Sequence, residues 1–205
     1  MGSSTILDIL GSLIVGGMLL LMGLRLNASA NETTAIYHGS YILQENMTAL
    51  VQILETDFRR IGYCSDWRKT ADPTRSIRLA DSTSIRFYTD LNHDGELDSV
   101  TYYTGPVSEL LETVNPRDRF IYRRVNMEPP LKMNLGVTQM AFRYFDALNV
   151  ELPTPVSDPR RVYYLHISIA VESPEPYKQE YSNDPSQYEV YWKQVRLATK
   201  NLRNR

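Results

Sequence analysis

Apolar and polar positions follow three rhythms along this chain. Near the N-terminus they do not alternate at all: residues 9–24, I-L-G-S-L-I-V-G-G-M-L-L-L-M-G-L, are 16 consecutive positions without charge, set between Asp8 and Arg25. With Ile6, Leu7 and Leu26 the run reaches the length of about 20 residues that a helix needs to cross a bilayer, so residues 1–27 are predicted to form a transmembrane segment. Next, Met47, Leu50, Val51, Leu54, Phe58 and Ile61 recur at three- and four-residue steps, the stripe of an amphipathic helix that packs on a core. Gln52, Glu55, Asp57, Arg59 and Arg60 read as its polar side, and Gly62 as its stop. No proline precedes Pro73, so one helix over 4–61 is expected, with 28–63 its amphipathic continuation and Gly39 the place where it would bend. Beyond Trp67 the period shortens to two. Strands are predicted at 76–79, 85–89, 97–103, 119–125, 137–145, 162–171 and 188–197, separated by clusters of Pro, Asn and Asp. In Y-Y-L-H-I-S-I-A-V (163–171), Leu165, Ile167, Ile169 and Val171 share one face, leaving His166 and Ser168 as exposed strand residues. The expected fold class is α+β: a long N-terminal helix packed on one face of an antiparallel sheet built from 64–205.

Composition narrows the function. The 205 residues carry a net charge of −2 with no basic stripe, so nucleic acid is not an expected partner. The single cysteine, Cys64, rules out an intrachain disulfide framework and a multi-cysteine zinc site, and is expected as a small buried apolar residue. No G-x-S-x-G, H-E-x-x-H or phosphate loop is present, so no enzyme is expected. A cleaved signal peptide competes with the anchor, since Ala28-Ser29-Ala30 offers an exit; M-G-S-S-T lacks the basic start, and a retained anchor is favoured.

One stretch invites a metal. In T-D-L-N-H-D-G-E-L-D-S-V (89–100), Asp90, Asn92, Asp94, Gly95 and Asp98 fit successive positions of an EF-hand-type loop, but Thr101 stands where the closing glutamate belongs. Strands rather than helices flank it, so it is read as a hairpin tip with Asp-Gly turn residues. Asp90, Asn92, Asp94 and Asp98, with the Glu96 carbonyl, are the candidate ligands for a weakly held calcium ion (Ca2+) that would order the loop; no cofactor is required for that reading.

Taken in order, four stretches resemble the type IV pilin superfamily. L-E-T-D-F-R-R-I-G-Y (54–63) is similar to the end of the family's long helix, typically L-x-x-D-I/L-R-x-A-G-Y. I-R-F-Y-T-D-L-N-H-D-G-E-L-D-S-V-T-Y-Y (85–103) is similar to its first hairpin, M-A-F-R-Y-F-D (140–146) to a later strand, and V-R-L-A-T-K-N-L-R-N (195–204) to its C-terminal strand. The closer resemblance is to minor pilins of the assembly type and minor pseudopilins of type II secretion. It implies a pilin-like structural subunit that helps assemble a type IV pilus or a type II secretion pseudopilus, with other pilin-like subunits as partners through the N-terminal helix. It also implies a single pass through the bacterial inner membrane and an extracytoplasmic head, against the weak pull of Arg25, Arg59 and Arg60 toward a cytoplasmic one. Gly11, Gly16, Gly17 and Gly23 then suit close helix–helix approach. Asp8 stands where the family's acidic residue pairs with a neighbour's N-terminal amine. S-T-I-L-D (4–8) echoes the apolar run of the prepilin signature, but Ser3 holds the glycine position and a basic leader is not among these residues, which argues against processing by a prepilin peptidase. The rival reading is a membrane-tethered binding or adhesion module, ordered by calcium, that does not polymerise.

Overall fold

The computed structural model describes residues 2–70, 72–174 and 188–203. Its first element is a 58-residue helix, α1 (Gly2–Arg59), unbroken through Gly39. The chain divides into two compact units, Met1–Tyr41 and Ile42–Arg205, so the second takes in the last part of the helix. Within the first unit, the side chains of residues 5–34 are all exposed, the apolar ones included. Within the second, the helical stripe is buried: Leu43, Met47, Leu50, Val51, Leu54 and Phe58.

The helix stops two residues before the predicted end. The amides of Arg60 and Ile61 donate to the carbonyls of Asp57 and Phe58 at 3.1 and 3.3 Å, the tightened last turn common at helix ends. Gly62, at φ 78°, then swings the chain so that its own amide donates to the Tyr88 carbonyl at 2.9 Å. Only glycine suits this position, because a Cβ here would lie 2.6 Å from Leu202 Cδ2 in a backbone region that L side chains rarely enter.

Nine strands follow among the described residues. β1 (Ile77–Ala80), β2 (Ser84–Thr89), β3 (Asp98–Thr104), β4 (Ile121–Val125) and β5 (Leu131–Met133) form a five-stranded sheet in sequence order. β6 (Val137–Phe145), β7 (Glu151–Leu152), β8 (Tyr164–Glu172) and β9 (Val190–Ala198) form a second, ordered β7-β6-β8-β9. All pairings are antiparallel. The seven strands expected from period-two alternation are present within two residues at each end. Two corrections apply. The single sheet is two sheets, and β5 and β7 were not foreseen, since three and two residues are too few to show an alternation.

Both sheets contribute to one core with the helical stripe. Ile85, Phe87, Val100, Tyr102 and Ile121 come from the first, and Phe142, Tyr144, Leu165, Ile167 and Ile169 from the second. Phe58 joins them: its ring centroid lies 5.2 Å from Phe87, 5.3 Å from Tyr102 and 5.9 Å from Phe142, within the range of favourable aromatic pairs.

Beside it, Asp57 departs from its expected place on the polar side. It is buried, and its Oδ2 accepts from the Tyr102 hydroxyl and from Arg123 Nε, each at 2.6 Å. Arg123 Nε also reaches the Tyr102 oxygen at 3.1 Å. Burial opposes the charge on Arg123, but the Asp57 carboxylate outweighs that and holds the guanidinium above its ordinary value. Burial, then the neighbouring carboxylate, pushes the Tyr102 hydroxyl far up, so it stays a donor. Asp57→Ala leaves a buried hydroxyl and a partly buried guanidinium without their acceptor. We expect it to lower the stability of the detergent-solubilised protein by about 3–5 kcal/mol in denaturant titration.

Candidate functional site

Two places carry the residues singled out in the sequence: the apolar half of α1 and the loop between β2 and β3. In the first unit, α1 is long and apolar enough to cross a membrane, and none of its most apolar stretch is buried within the structure. Ile6, Leu7, Leu13, Leu19, Leu21 and Leu26 are among the exposed large side chains. Each costs about 1.5–3 kcal/mol to leave in water rather than in an apolar setting, so this surface requires lipid or a protein neighbour. Gly11, Gly16, Gly17 and Gly23 have open space where a Cβ would stand. They do not form one contact surface. At about 3.6 residues per turn, Asp8, Ser12, Gly16 and Gly23 fall within about 80° of one another, while Gly11 and Gly17 lie on other sides. Leu19 and Leu26 fall in the same arc, so the carboxylate shares its face with three small residues and two leucines. Asp8 is exposed, and the N-terminal amine of Met1 lies outside the described residues.

The β2–β3 loop is organised around Asp90, which is fully buried. Its Oδ2 accepts from the Ser65 amide at 3.0 Å, the Ser65 hydroxyl at 2.6 Å and the Gly95 amide at 3.0 Å. The Asp90 amide in turn donates to the Tyr63 carbonyl at 2.8 Å. Burial alone would raise the Asp90 carboxyl. The Ser65 hydroxyl and amide, then the amides of Gly95 and His93, more than reverse that and hold it at about 2. The loop thus clamps the segment that leaves the helix. Tyr63 and His93 meet across it, hydroxyl to Nδ1 at 3.1 Å, and Cys64 Sγ lies 3.2 Å from the Asp66 carbonyl and 3.5 Å from that of Gly95. Cys64 is accordingly half-buried with its thiol aimed at carbonyls, rather than a buried apolar filler.

The other loop side chains turn to separate partners. Asp98 accepts from the Leu91 amide at 3.1 Å and from Asn126 Nδ2 at 2.7 Å. Asp94 accepts from Asn92 Nδ2 at 2.7 Å and from the Glu96 amide at 2.8 Å, and the Glu96 carboxylate binds Lys69. Asp90 Oδ1 is buried without a partner, yet among the described residues no group of three or more His, Cys, Asp or Glu is placed to hold a metal ion. Apart from Asp90 Oδ1, these carboxylates are engaged by backbone amides, by the side chains of Asn92 and Asn126 and by Lys69. His166, expected to be exposed, is half-buried, 4.3 Å from the Phe145 ring; burial, with Arg196 and Arg143 nearby, lowers its pKa.

Residues 38–175, most of the chain, match the family model described as prepilin peptidase-dependent protein B. The chain belongs to that family. This prepilin peptidase-dependent family relates the chain to type IV pilins, in accord with the resemblance carried by 54–63 and 85–103. The matched span contains Asp57, Asp90, the first sheet and strands β6 to β8 of the second, but neither β9 nor the apolar run, so it carries nothing about cleavage near Ser4. No curated protein and no solved structure matches the chain.

The depressed Asp90 carboxyl gives a pH dependence. Its folded value lies below the ordinary 3.8, so between about pH 4 and pH 2 the folded protein binds fewer protons than the unfolded chain. The contribution is complete above that window and is lost as pH falls through it. We expect Asp90→Asn to melt lower at pH 7 and to lose less on acidification from pH 4 to pH 2. Melting curves of both proteins across that range check this, and parallel curves would remove Asp90 from the account.

Proposed function

We propose that the protein is a membrane-anchored structural subunit of the minor pilin or minor pseudopilin kind, which helps to assemble a type IV pilus or a type II secretion pseudopilus. Residues 1–27 sit in the bacterial inner membrane, and the sheet-bearing unit lies outside the cytoplasm. Other pilin-like subunits are the partners, contacted through the first part of α1. Neither catalysis, nor a cofactor, nor nucleic acid enters this role.

One observation carries the reading: an apolar helical surface with no cover of its own, continuous in sequence with a head that belongs to a prepilin peptidase-dependent family. A helix that only anchored would need no small, carboxylate-bearing face. Asp8, Ser12, Gly16 and Gly23 bring those features to one face, with Leu19 and Leu26 beside them. Small residues let neighbouring backbones approach closely, and a carboxylate moved out of water into such a bundle requires a cationic partner.

The test is assembly. Asp8→Ala is expected to reduce filament number or secretion at least several-fold while leaving membrane insertion and the melting of the head unchanged. Normal filaments and normal secretion from cells carrying Asp8→Ala, and again from cells lacking the gene, would refute the role.

A further inference from the structure

The outer face of the five-stranded sheet carries charge that the rest of the fold leaves unanswered. Its registers set Arg86, Thr101 and Arg124 in one row across β2, β3 and β4, and Tyr103, Tyr122 and Lys132 in the next across β3, β4 and β5. Arg78, at the irregularity in β1, lies 5.1 Å over the Tyr88 ring. Four cations therefore stand on a face to which the strands bring no carboxylate, in a chain whose net charge is −2. Among the described residues, none of the four forms an ion pair. Glu109 reaches the margin of the face and is bound by the Tyr122 hydroxyl.

Arg78, Arg86 and Lys132 are held in place by neighbouring side chains. Arg86 Nε donates to Thr101 Oγ1 at 3.3 Å, while Arg124 Nε is buried with no acceptor among the described residues. Lys132 Nζ sits 5.4 and 5.6 Å from the Phe120 and Tyr122 rings, and Tyr122 stacks on Tyr103 at 4.8 Å. A partner would find the side chains already ordered, which lowers the entropic cost of binding. At the Arg78 edge lies a cavity of about 360 Å³ lined by Lys69, Thr70, Asp72, Arg75, Arg78 and Tyr88 among others; Asp72 pairs with Arg75 and Glu96 with Lys69, which leaves Arg78 as its cation without an ion pair among the described residues. Thr70 is 5 % exposed, and its hydroxyl has no partner among the described residues.

We propose that this face docks an acidic surface of another protein, with carboxylates of the partner meeting Arg86 and Arg124 and one acceptor-bearing side chain entering the cavity beside Arg78. Arginine and tyrosine are the residues that dominate protein interfaces, and guanidinium groups match carboxylates two bonds at a time. Single-stranded nucleic acid is the poorer fit. Its bases need free aromatic faces, whereas Tyr103 and Tyr122 are stacked on each other, with Lys132 close to Tyr122. The inference does not depend on the filament reading, because any acidic partner of the head would satisfy it.

A photo-crosslinking residue in place of Leu79, which is 37 % exposed and pairs with Arg86, tests this in the full-length protein in the cells that make it. The expected adduct is with a protein, through a segment rich in Asp and Glu. Arg86→Glu with Arg124→Glu should lower its yield at least tenfold, Arg86→Lys with Arg124→Lys should retain it, and reversing the partner's acids to Arg should restore it. If the double reversal also lowers the melting temperature, Arg86→Gln alone decides, with a loss of threefold or more expected. An adduct insensitive to these changes, adducts with lipid or nucleic acid only, or no protein adduct would overturn the proposal. Crosslinks placed in residues 9–24 report on the helix separately, so failure here is distinguishable from failure of the filament role.

Discussion

The head depends on the way the end of α1 is seated between two sheets, and that seating rests on two adjacent residues of opposite character. Phe58 supplies the attraction, touching aromatic rings from both sheets. Asp57 supplies the direction, since its carboxylate meets the Tyr102 hydroxyl and Arg123 together. An apolar stripe alone tolerates rotation and sliding by small amounts. A carboxylate shared by two fixed donors does not, because every displacement exposes a buried polar group to an apolar wall. The consequence passes outward along the chain. With Asp57 fixed, Gly62 can make its turn to Tyr88, the segment 63–66 lies where Asp90 can clamp it, and the β2–β3 loop acquires its shape from the helix it follows.

The loop shows how the same side-chain chemistry serves different ends. Alternating acidic and amide residues ahead of a glycine give a metal-binding loop when their oxygens converge. Here, Asp90 turns inward to amides, Asp98 turns toward Asn126 just beyond the end of β4, and Glu96 turns outward to Lys69. A carboxylate that accepts several amide hydrogen bonds is strongly stabilised in its charged form. The loop therefore acts as a brace for the junction between helix and sheet.

Much of this was legible in the sequence, and the exceptions have physical causes. The apolar run, the stripe and seven strands declare themselves through period, which is a local property. Asp57 was misassigned because Glu55, Arg59 and Arg60 surround it, yet the spacing held the answer: Leu54, Asp57, Phe58 and Ile61 are the i, i+3, i+4 and i+7 positions of one buried face. A carboxylate there demands a cationic partner. That partner, Arg123, is 66 residues away, and nothing local reveals it. The Asp90–Ser65 clamp is hidden for the same reason. The cationic face of the first sheet is intermediate, since Arg86, Arg124 and Lys132 read as solvent-facing singly and become one surface only when the register sets them side by side.

The division of the helix between two units bears on how such a subunit can act. From Ile42 onward, the protein closes a core of its own. Over residues 5–34 the helix buries nothing, and its apolar surface calls for lipid or a protein neighbour. Exchange between those two surroundings replaces one apolar neighbour with another. The balance is then set by close packing at small residues and by the fate of a single carboxylate, with little net hydrophobic change. Under the proposed role, terms of that size would suit a segment that leaves the bilayer as well as enters it. A head whose folding is uncoupled from the exchange can remain intact through it, and defects in assembly and defects in folding should therefore separate cleanly along the chain at the boundary between residues 41 and 42.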